Sequence, residues 1–163
     1  MKTNRYYSLA IIGIWLTLSS ICAAAASNYR FTHITTNEGL PHQQITYIKQ
    51  DNLGRMWIAT RNGLACYDGY EITTYFNEAG NEHSLINSSV NVVYQDSKGR
   101  IWVATYDGGV NYLITSPEGK PRFIHAYNDL KQYPIDRCNK ARFVTGDRQG
   151  RIWIGTTLGA LVA

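Results

Sequence analysis

The sequence predicts an all-β fold built from a repeated four-stranded unit, and two observations support this prediction. A ten-residue motif occurs three times in the 163 residues of the chain. Runs of β-branched residues and turn residues flank the motif, which is the pattern of short antiparallel strands joined by tight turns. The spacing between the copies then selects one all-β architecture among several.

The three copies of the motif begin at Asp51, Asp96 and Asp147, which lie 45 and then 51 residues apart. Each copy reads Asp-x-x-Gly-Arg-(Ile/Met)-Trp-(Ile/Val)-(Ala/Gly)-Thr, and three of the four tryptophans of the chain occupy the same place in it. A sandwich or a barrel would also contain short strands, but would not need the same turn and Trp at a fixed period. Four antiparallel strands every ~40–50 residues are typical of a β-propeller blade.

Each strand of the unit can be assigned from its residues. In the first copy, Ile45–Ile48 predicts a first strand; the Asp of the motif then caps backbone amides, and its Gly takes the positive φ that closes a hairpin. The Arg-x-Trp segment begins the second strand, and runs near 64–67 and 71–76 complete the four. The large Trp side chains suit packing between adjacent blades. Blades are therefore expected near 45–76, 90–127 and 141–163, the last of them truncated.

Residues 30–35 align with a fourth, outermost strand that has no first three strands ahead of it, since Phe31 lies 45 residues before Phe76. A propeller closes its ring by pairing such an orphan strand with the last blade. Because that blade is incomplete here, the strand around Phe31 is expected to lie outside the blades or unpaired. Because the chain stops inside the third strand of its third unit, residues 27–163 are expected to form an incomplete β-propeller of about three blades. Exposed strand edges and apolar faces promote association, so self-association is expected as well.

The amino-terminal residues are typical of an export signal. Lys2 and Arg5 precede an apolar run at Leu9–Leu18, and the small-residue run Ala23–Ala26 follows it. An uncleaved membrane anchor is the alternative, but the apolar run is shorter than the ~18–20 residues that a spanning helix needs. We therefore expect a signal peptide at 1–26, an exported periplasmic chain, and no membrane span beyond the signal segment.

Charge and cysteine content limit the partners of the chain. The formal charge of +4 falls to +2 without the basic residues of the signal segment, and no basic run remains, which excludes a nucleic-acid partner. Cleavage would leave Cys66 and Cys138 in an oxidising compartment. One disulfide is then possible, but two buried thiols on separate strands are the favoured interpretation.

The motif D-x-x-G-R-[IM]-W-[IV]-[AG]-T-x-x-G, together with G-L-P-H-x-x-I at Gly39–Ile45, resembles the two-component regulator propeller repeat. The resemblance covers nearly the whole chain after the signal segment, from about Phe31 to Val162. It implies the periplasmic sensor region of a hybrid two-component sensor histidine kinase and response regulator, as in Bacteroidetes that sense polysaccharide breakdown products. It also implies an oligosaccharide ligand and a longer, inner-membrane-anchored parent protein with a kinase and a receiver that this chain lacks.

No catalytic residue is predicted. Catalysis needs one convergent constellation, whereas the carboxylates of Asp51, Asp96 and Asp147 recur at the same turn of separate units, which favours a structural role. Neither an H-x-x-H nor an H-E-x-x-H spacing occurs among the four histidines, which are His33, His42, His83 and His125. No glycine loop that could cradle a phosphate opens a helix. Enzyme activity, a metal and a cofactor are therefore not expected.

For ligand binding, the residues that vary between the copies are better candidates than those that repeat. The turn between the second and third strands carries Arg61 and Asn62 in the first unit but Tyr106 and Asp107 in the second. Ordinary solvated turn residues are the alternative interpretation. These turns are expected at the same end of the propeller as the long loop Asn77–Ser89, and Tyr and Arg are suited to stacking on sugars and to hydrogen bonding with them.

Three functions agree with these patterns. The first is a sensor fragment of a two-component protein, the second is a standalone exported binding propeller, and the third is a fragment of a propeller-type lyase or glycosidase. The turn is similar to the Asp-box of sialidases, but that box has Asp-x-Gly where this motif has Asp-x-x-Gly, which argues against a glycosidase. The favoured function is therefore a glycan-responsive, ligand-sensing propeller fragment from the amino-terminal part of a hybrid two-component protein.

Overall fold

The computed structural model describes residues 29–115 and 120–163. The predicted signal peptide at 1–26 lies outside the described residues. Within the described ranges nearly all regular structure is β-strand, as the repeat predicts. No helix in this part of the chain is both long and apolar enough to cross a membrane.

The chain divides into two compact units, residues 1–33 and residues 34–163. In the first unit, the described residues 29–33 hold neither helix nor strand, and the side chain of Phe31 is almost fully exposed. The orphan strand expected at 30–35 is therefore not formed. The physical reason is that a strand needs a neighbour to pair its backbone groups, and no strand of the described residues pairs with this segment.

Three antiparallel sheets, which we call blades 1, 2 and 3, follow in the described part of the second unit, each made of consecutive strands. Blade 1 comprises β1 (Ile45–Gln50), β2 (Met56–Thr60), β3 (Gly63–Tyr67) and β4 (Ile72–Tyr75). Blade 2 comprises β5 (Val90–Gln95), β6 (Ile101–Thr105), β7 (Val110–Thr115) and β8 (Pro121–Ile124). Blade 3 comprises β9 (Ala141–Gly146), β10 (Ile152–Thr156) and β11 (Gly159–Val162), after a short helix, α1 (Ile135–Cys138). Two four-stranded sheets and one three-stranded sheet confirm the predicted incomplete propeller.

The turn between the first two strands of each blade has the predicted geometry. In blade 1, the amide of Asp51 donates to the carbonyl of Arg55 at 2.9 Å, and the amide of Gly54 donates to the carbonyl of Asp51 at 3.0 Å. Gly54 has a φ of 84°, a conformation that is strained for residues with a Cβ. The corresponding glycines of blades 2 and 3 have φ values of 80° and 81°, so the motif closes the same hairpin three times.

The first strand of each blade contains a bulge at its second residue, which is Thr46, Asn91 or Arg142. The residues on either side of it pair with consecutive residues of the neighbouring strand, so the bulged residue is left outside the ladder. In blade 1 the Thr46 hydroxyl donates to the carbonyl of Val90 at 2.7 Å, and in blade 2 the Asn91 side-chain amide donates to the carbonyl of Ala141 at 2.7 Å. These two bulges therefore tie the first strand of one blade to the first strand of the next.

Two hydrophobic cores lie between the blades. Trp57 belongs to the core between blades 1 and 2 and is 1 % exposed, and Trp102 belongs to the core between blades 2 and 3 and is 4 % exposed. Blade 2 contributes aliphatic and aromatic side chains to the first core, namely Val90, Val93, Ile101, Val103 and Phe123. Blade 3 contributes small and aliphatic side chains to the second, namely Ala141, Val144, Ile152 and Ile154. The repeated Trp is thus buried between neighbouring sheets wherever the structure describes both of them.

The two cysteines of the described residues lie in different cores. Cys66 belongs to the core between blades 1 and 2, and Cys138 belongs to the core between blades 2 and 3. Both are buried and free of a disulfide. Burial raises the pKa of the Cys66 thiol, which makes it a packing group and a poor nucleophile. The expected burial of both thiols is confirmed, but the expectation of separate strands holds only for Cys66 on β3, because Cys138 is the last residue of α1.

Candidate functional site

The turns between the second and third strands meet the segments that lead into the blades at one end of the sheets, which we call the loop end. The amide of Gly63, in the turn of blade 1, donates to the carbonyl of Ser88 at 2.6 Å. The amide of Tyr106, in the turn of blade 2, donates to the carbonyl of Ser89 at 2.8 Å. Ser88 and Ser89 lead directly into β5. The segment that they form therefore lies between the turn of blade 1, which bonds Ser88, and the turn of blade 2, which bonds Ser89.

The same arrangement recurs between blades 2 and 3. The amide of Gly109 donates to the carbonyl of Asn139 at 2.6 Å, and the amide of Thr157 donates to the carbonyl of Lys140 at 3.3 Å. Asn139 and Lys140 lead into β9, so they take the places that two serines occupy before β5. The loop end is therefore a continuous row of turns and connecting segments across the three blades.

Arg61 and Asn62 lie in the turn of blade 1 and are exposed. Their backbone amides are fixed, since Arg61 donates to the carbonyl of Gln44 at 3.2 Å and Asn62 donates to the hydroxyl of Thr60 at 3.1 Å. Neither side chain bonds another residue in the described part of the chain. The turn is thus held in place while both predicted side chains remain available to a ligand.

Tyr106 and Asp107 lie in the corresponding turn of blade 2 and contact the segment that enters blade 3. The Tyr106 ring is 42 % exposed, and its centroid lies 5.4 Å from the guanidinium carbon of Arg142 and 5.8 Å from the ammonium nitrogen of Lys140. Both distances allow cation–π attraction. The Oδ1 atom of Asp107 accepts a bond from the side-chain amide of Asn139 at 3.0 Å. The two predicted residues therefore belong to a larger polar group of five side chains.

Sequence reasoning missed three members of this group, Asn139, Lys140 and Arg142. A signal was present in the comparison of the copies. Around the start of the first strand, blade 2 has Ser-Ser-Val-Asn at 88–91, whereas blade 3 has Asn-Lys-Ala-Arg at 139–142. Applied to this segment, the rule that ligand candidates vary between copies selects Lys140 and Arg142 as well as the turn residues.

The opposite end of the blades carries the repeated Asp of the motif. In blade 1, Oδ1 of Asp51 accepts bonds from the amides of Leu53 and Arg55, both at 2.9 Å. Its Oδ2 accepts a bond from the Arg55 Nε at 2.8 Å and another from the Trp57 indole at 2.9 Å. The guanidinium carbon of Arg55 lies 5.5 Å from the centroid of the Trp57 ring. Asp51, Arg55 and Trp57 thus form one group, which we call the Asp–Arg–Trp cluster.

Each of the other two blades repeats this cluster. The indole nitrogen lies 2.9 Å from the Asp Oδ2 in blade 2 and 2.8 Å in blade 3. The corresponding Arg Nε distances are 2.6 Å and 2.7 Å. Sequence reasoning predicted the caps on the backbone amides but not the bond from the Trp, although the six-residue spacing between Asp and Trp recurs in every copy.

The clusters hold their carboxylates ionised. Burial by itself would raise the pKa of Asp51 and of Asp96, but the bonds from the Trp indole and the Arg side chain outweigh it and lower both pKa values. In Asp147 the bond from Trp153 is the largest influence and lowers the pKa to about 2. A carboxylate that accepts four hydrogen bonds is a poor general base. The geometry therefore supports the structural role predicted for the repeated Asp.

Two stretches of the chain, residues 39–62 and 84–107, match the family model of the two component regulator propeller. Each stretch runs from the segment that precedes a blade to the turn after its second strand. Among curated proteins, Histidine kinase P4 of Formosa agariphila is 34 % identical over 62 residues, which are 38 % of this chain and 4 % of that protein.

Two solved structures from B. thetaiotaomicron have similar folds. One is the extracellular domain of a hybrid two component system, with a TM-score of 0.55 and 25 % identity, covering 76 % of this chain and 17 % of that chain. The other is the extracellular domain of a one component system, with a TM-score of 0.55 and 23 % identity, covering 74 % of this chain and 16 % of that chain. This chain therefore spans less than a fifth of the length of each relative.

Proposed function

We propose that this chain, two stretches of which match the two component regulator propeller model, is the amino-terminal, periplasmic sensor part of a hybrid two-component sensor histidine kinase and response regulator. In this role the propeller binds a glycan, and the kinase and receiver lie elsewhere in a longer protein anchored in the inner membrane. The contribution of this chain is ligand binding and not catalysis.

The strongest support for this proposal is the combination of a family-model match with a structural similarity. The family repeats occur together with structural similarity to the extracellular domain of a hybrid two component system, which covers 76 % of this chain. An extracellular propeller has access to solutes outside the inner membrane, and the basic, apolar and small-residue order of the first 26 residues is typical of export. A propeller in this position is suited to detect a solute.

The loop end supplies the groups that a glycan site needs. Tyr106 offers an exposed ring, and Arg61 and Asn62 offer hydrogen-bonding groups that no other described residue occupies. Aromatic rings pack on the apolar faces of sugars, and Arg and Asn side chains bond their hydroxyls. We therefore place the glycan across the turns of blades 1 and 2.

A glycan array probed with the labelled full chain tests the binding function. We expect binding to a defined set of oligosaccharides, weakened roughly tenfold by Tyr106→Ala because one stacking contact is lost. The matched control is Tyr70→Ala, since Tyr70 is 96 % exposed in the turn between β3 and β4, at the other end of blade 1. Binding to no glycan, or equal losses in both variants, would contradict the proposed site.

The coding DNA after codon 163 tests the signalling function. We expect an open reading frame that continues through further propeller repeats to a histidine kinase and a receiver. A stop codon at this point, with no kinase gene beside it, would contradict the sensor proposal and favour the standalone binding propeller.

A further inference from the structure

We infer that Tyr106, Lys140 and Arg142 form a subsite for an acidic group of a glycan, either a carboxylate or a sulfate, at the junction of blades 2 and 3. The inference rests on the proposed function and deepens it, because it names the chemical class of the ligand. The subsite lies at the loop end, where the turn of blade 2 meets the segment that enters blade 3.

The two cations of the subsite lack a carboxylate partner. None of the ion pairs found within residues 29–115 and 120–163 includes Lys140 or Arg142. The acidic residue of the same turn, Asp107, bonds the side-chain amide of Asn139 instead. The two positive charges lie 5.8 Å and 5.4 Å from the centroid of one ring, and an anion bound beside that ring would be attracted to each of them. It would also gain charge-assisted hydrogen bonds from the guanidinium and ammonium groups.

The position of Arg142 in its blade explains how its side chain comes to lie at the loop end. Arg142 is the bulged residue of β9, equivalent to Thr46 in β1 and Asn91 in β5. Those two side chains bond the first strand of the following blade. The guanidinium group of Arg142 lies over Tyr106, in the turn of the preceding blade. The same bulge thus presents a different group to the loop end in blade 3.

The composition of the subsite favours an acidic sugar over a neutral one. A neutral sugar is bound through hydroxyls, for which amide and carboxylate side chains serve as well as cations. Here two cations converge on one partly exposed aromatic side chain, and cations of this kind bond a carboxylate or a sulfate more strongly than a neutral hydroxyl. The exposed Arg61 and Asn62, beyond Ser88 and Ser89, can then bond a neighbouring sugar unit.

Titration calorimetry with the full chain tests this inference. The probes are trigalacturonate for the carboxylate, a sulfated chondroitin disaccharide for the sulfate, and maltotriose as the neutral sugar. We compare the parent chain with Arg142→Gln, Lys140→Gln and the charge-conserving Arg142→Lys. The matched control is Arg148→Gln, because Arg148 is an exposed arginine in the same blade, at the end that carries the Asp–Arg–Trp cluster.

We expect at least one acidic probe to bind, with affinity reduced roughly ten- to hundredfold by Arg142→Gln or Lys140→Gln and largely retained in Arg142→Lys. Arg148→Gln should leave the affinity unchanged. Raising the salt from about 50 to about 500 mM should weaken the binding, since screening acts on exposed charges. Circular dichroism of each variant verifies that the fold is retained.

Two results would overturn the inference and can be told apart from failure of the proposed function. Binding of maltotriose with neither acidic probe bound would leave glycan sensing intact and remove the acidic subsite. Equal losses of affinity from Arg142→Gln and Arg148→Gln would show that the acidic probes respond to the net charge of the chain and not to a subsite at Arg142. If the glycan array detects no ligand of any charge, the proposed function fails and the inference fails with it.

Discussion

Trp102 and Trp153 belong to the same motif but lie in different surroundings. Trp102 is 4 % exposed in the core between blades 2 and 3, whereas Trp153 is 38 % exposed on the opposite face of blade 3. Their hydrogen bonds to Asp are nevertheless alike, 2.9 Å long in blade 2 and 2.8 Å in blade 3. The Asp–Arg–Trp cluster therefore forms within each blade, whether or not a second sheet covers its indole.

This difference separates two contributions to the stability of the propeller. The cluster is local, because Asp, Arg and Trp lie within seven residues of one another in the sequence. Burial of the indole is not local, because it needs the face of a neighbouring sheet. In repeat architectures each unit contributes its own stability and an interface term with its neighbour. The Trp of the motif should then contribute different amounts to the free energy of unfolding in blades 2 and 3.

Replacing the two tryptophans should have the largest effect and should separate these contributions. Trp102→Ala should lower the free energy of unfolding by about 3–5 kcal/mol, because it empties a core between sheets. Trp153→Ala should lower it by about 1 kcal/mol, since its indole buries less surface. Urea unfolding followed by circular dichroism measures both. Equal losses would mean that the cluster, and not burial between blades, dominates the contribution of the Trp.

Acidification should have the next largest effect, because it acts on the clusters themselves. The pKa values of Asp51, Asp96 and Asp147 are lowered in the folded chain, that of Asp147 to about 2. As the pH falls through about 4, the unfolded chain therefore takes up protons before the folded chain does. The stabilisation is complete above that pH and is lost progressively as the pH approaches the folded-state values.

Urea unfolding between about pH 5 and pH 2.5 measures this loss. Asp96→Asn should be destabilised by about 1–3 kcal/mol at neutral pH, because its buried cluster loses an ionic acceptor, and it should depend less on pH than the parent chain. Asp147→Asn should be less destabilised at neutral pH, since its carboxylate is the most exposed of the three. A parent chain whose stability stays constant over this pH range would contradict the role of the ionised carboxylates.

The residues that sequence reasoning placed correctly are those whose contacts are local. The cap of Asp51 and the positive φ of Gly54 depend on a single turn, so residue type and spacing were enough to predict them. The burial of Trp57 and Trp102 agrees with the prediction that the Trp of the motif packs between adjacent blades. Each of these features is set by the repeat, which is visible in the sequence.

The features that were missed depend on contacts between elements. The contact of Tyr106 with Lys140 and Arg142 arises because the segment after α1 crosses the turn of blade 2. The variation between the copies marks these residues, but it does not show that their side chains meet the ring. The segment 30–35, expected as a strand without a partner, has no strand in the structure. Its alignment with β4 was real, but a strand also needs a partner, and none pairs with it among the described residues.

The smallest expected effect concerns the face of blade 3 that carries Trp153. Trp153 and Val162 pair across β10 and β11, and Phe143 on β9 pairs with Gly155, two residues along β10 from Trp153. The exposed fractions of Trp153, Val162 and Phe143 are 38 %, 49 % and 49 %, so this face presents apolar surface that corresponds to the buried face of blade 2. Apolar patches of this kind promote association. We therefore expect the chain to self-associate through this face.

Sedimentation velocity between about 1 and 100 μM tests this expectation, and Trp153→Lys should raise the dissociation constant roughly tenfold, or about 1.4 kcal/mol. A lysine at this position places a charge in the centre of the face, where a second copy would have to desolvate it. The matched control is Leu53→Lys, because Leu53 is 77 % exposed in the turn of blade 1, away from this face. It should leave association unchanged. A parent chain that stays monomeric throughout this range would show that the exposed Trp153 face does not bind a second copy, and that burial of the motif Trp needs a neighbouring blade of the propeller.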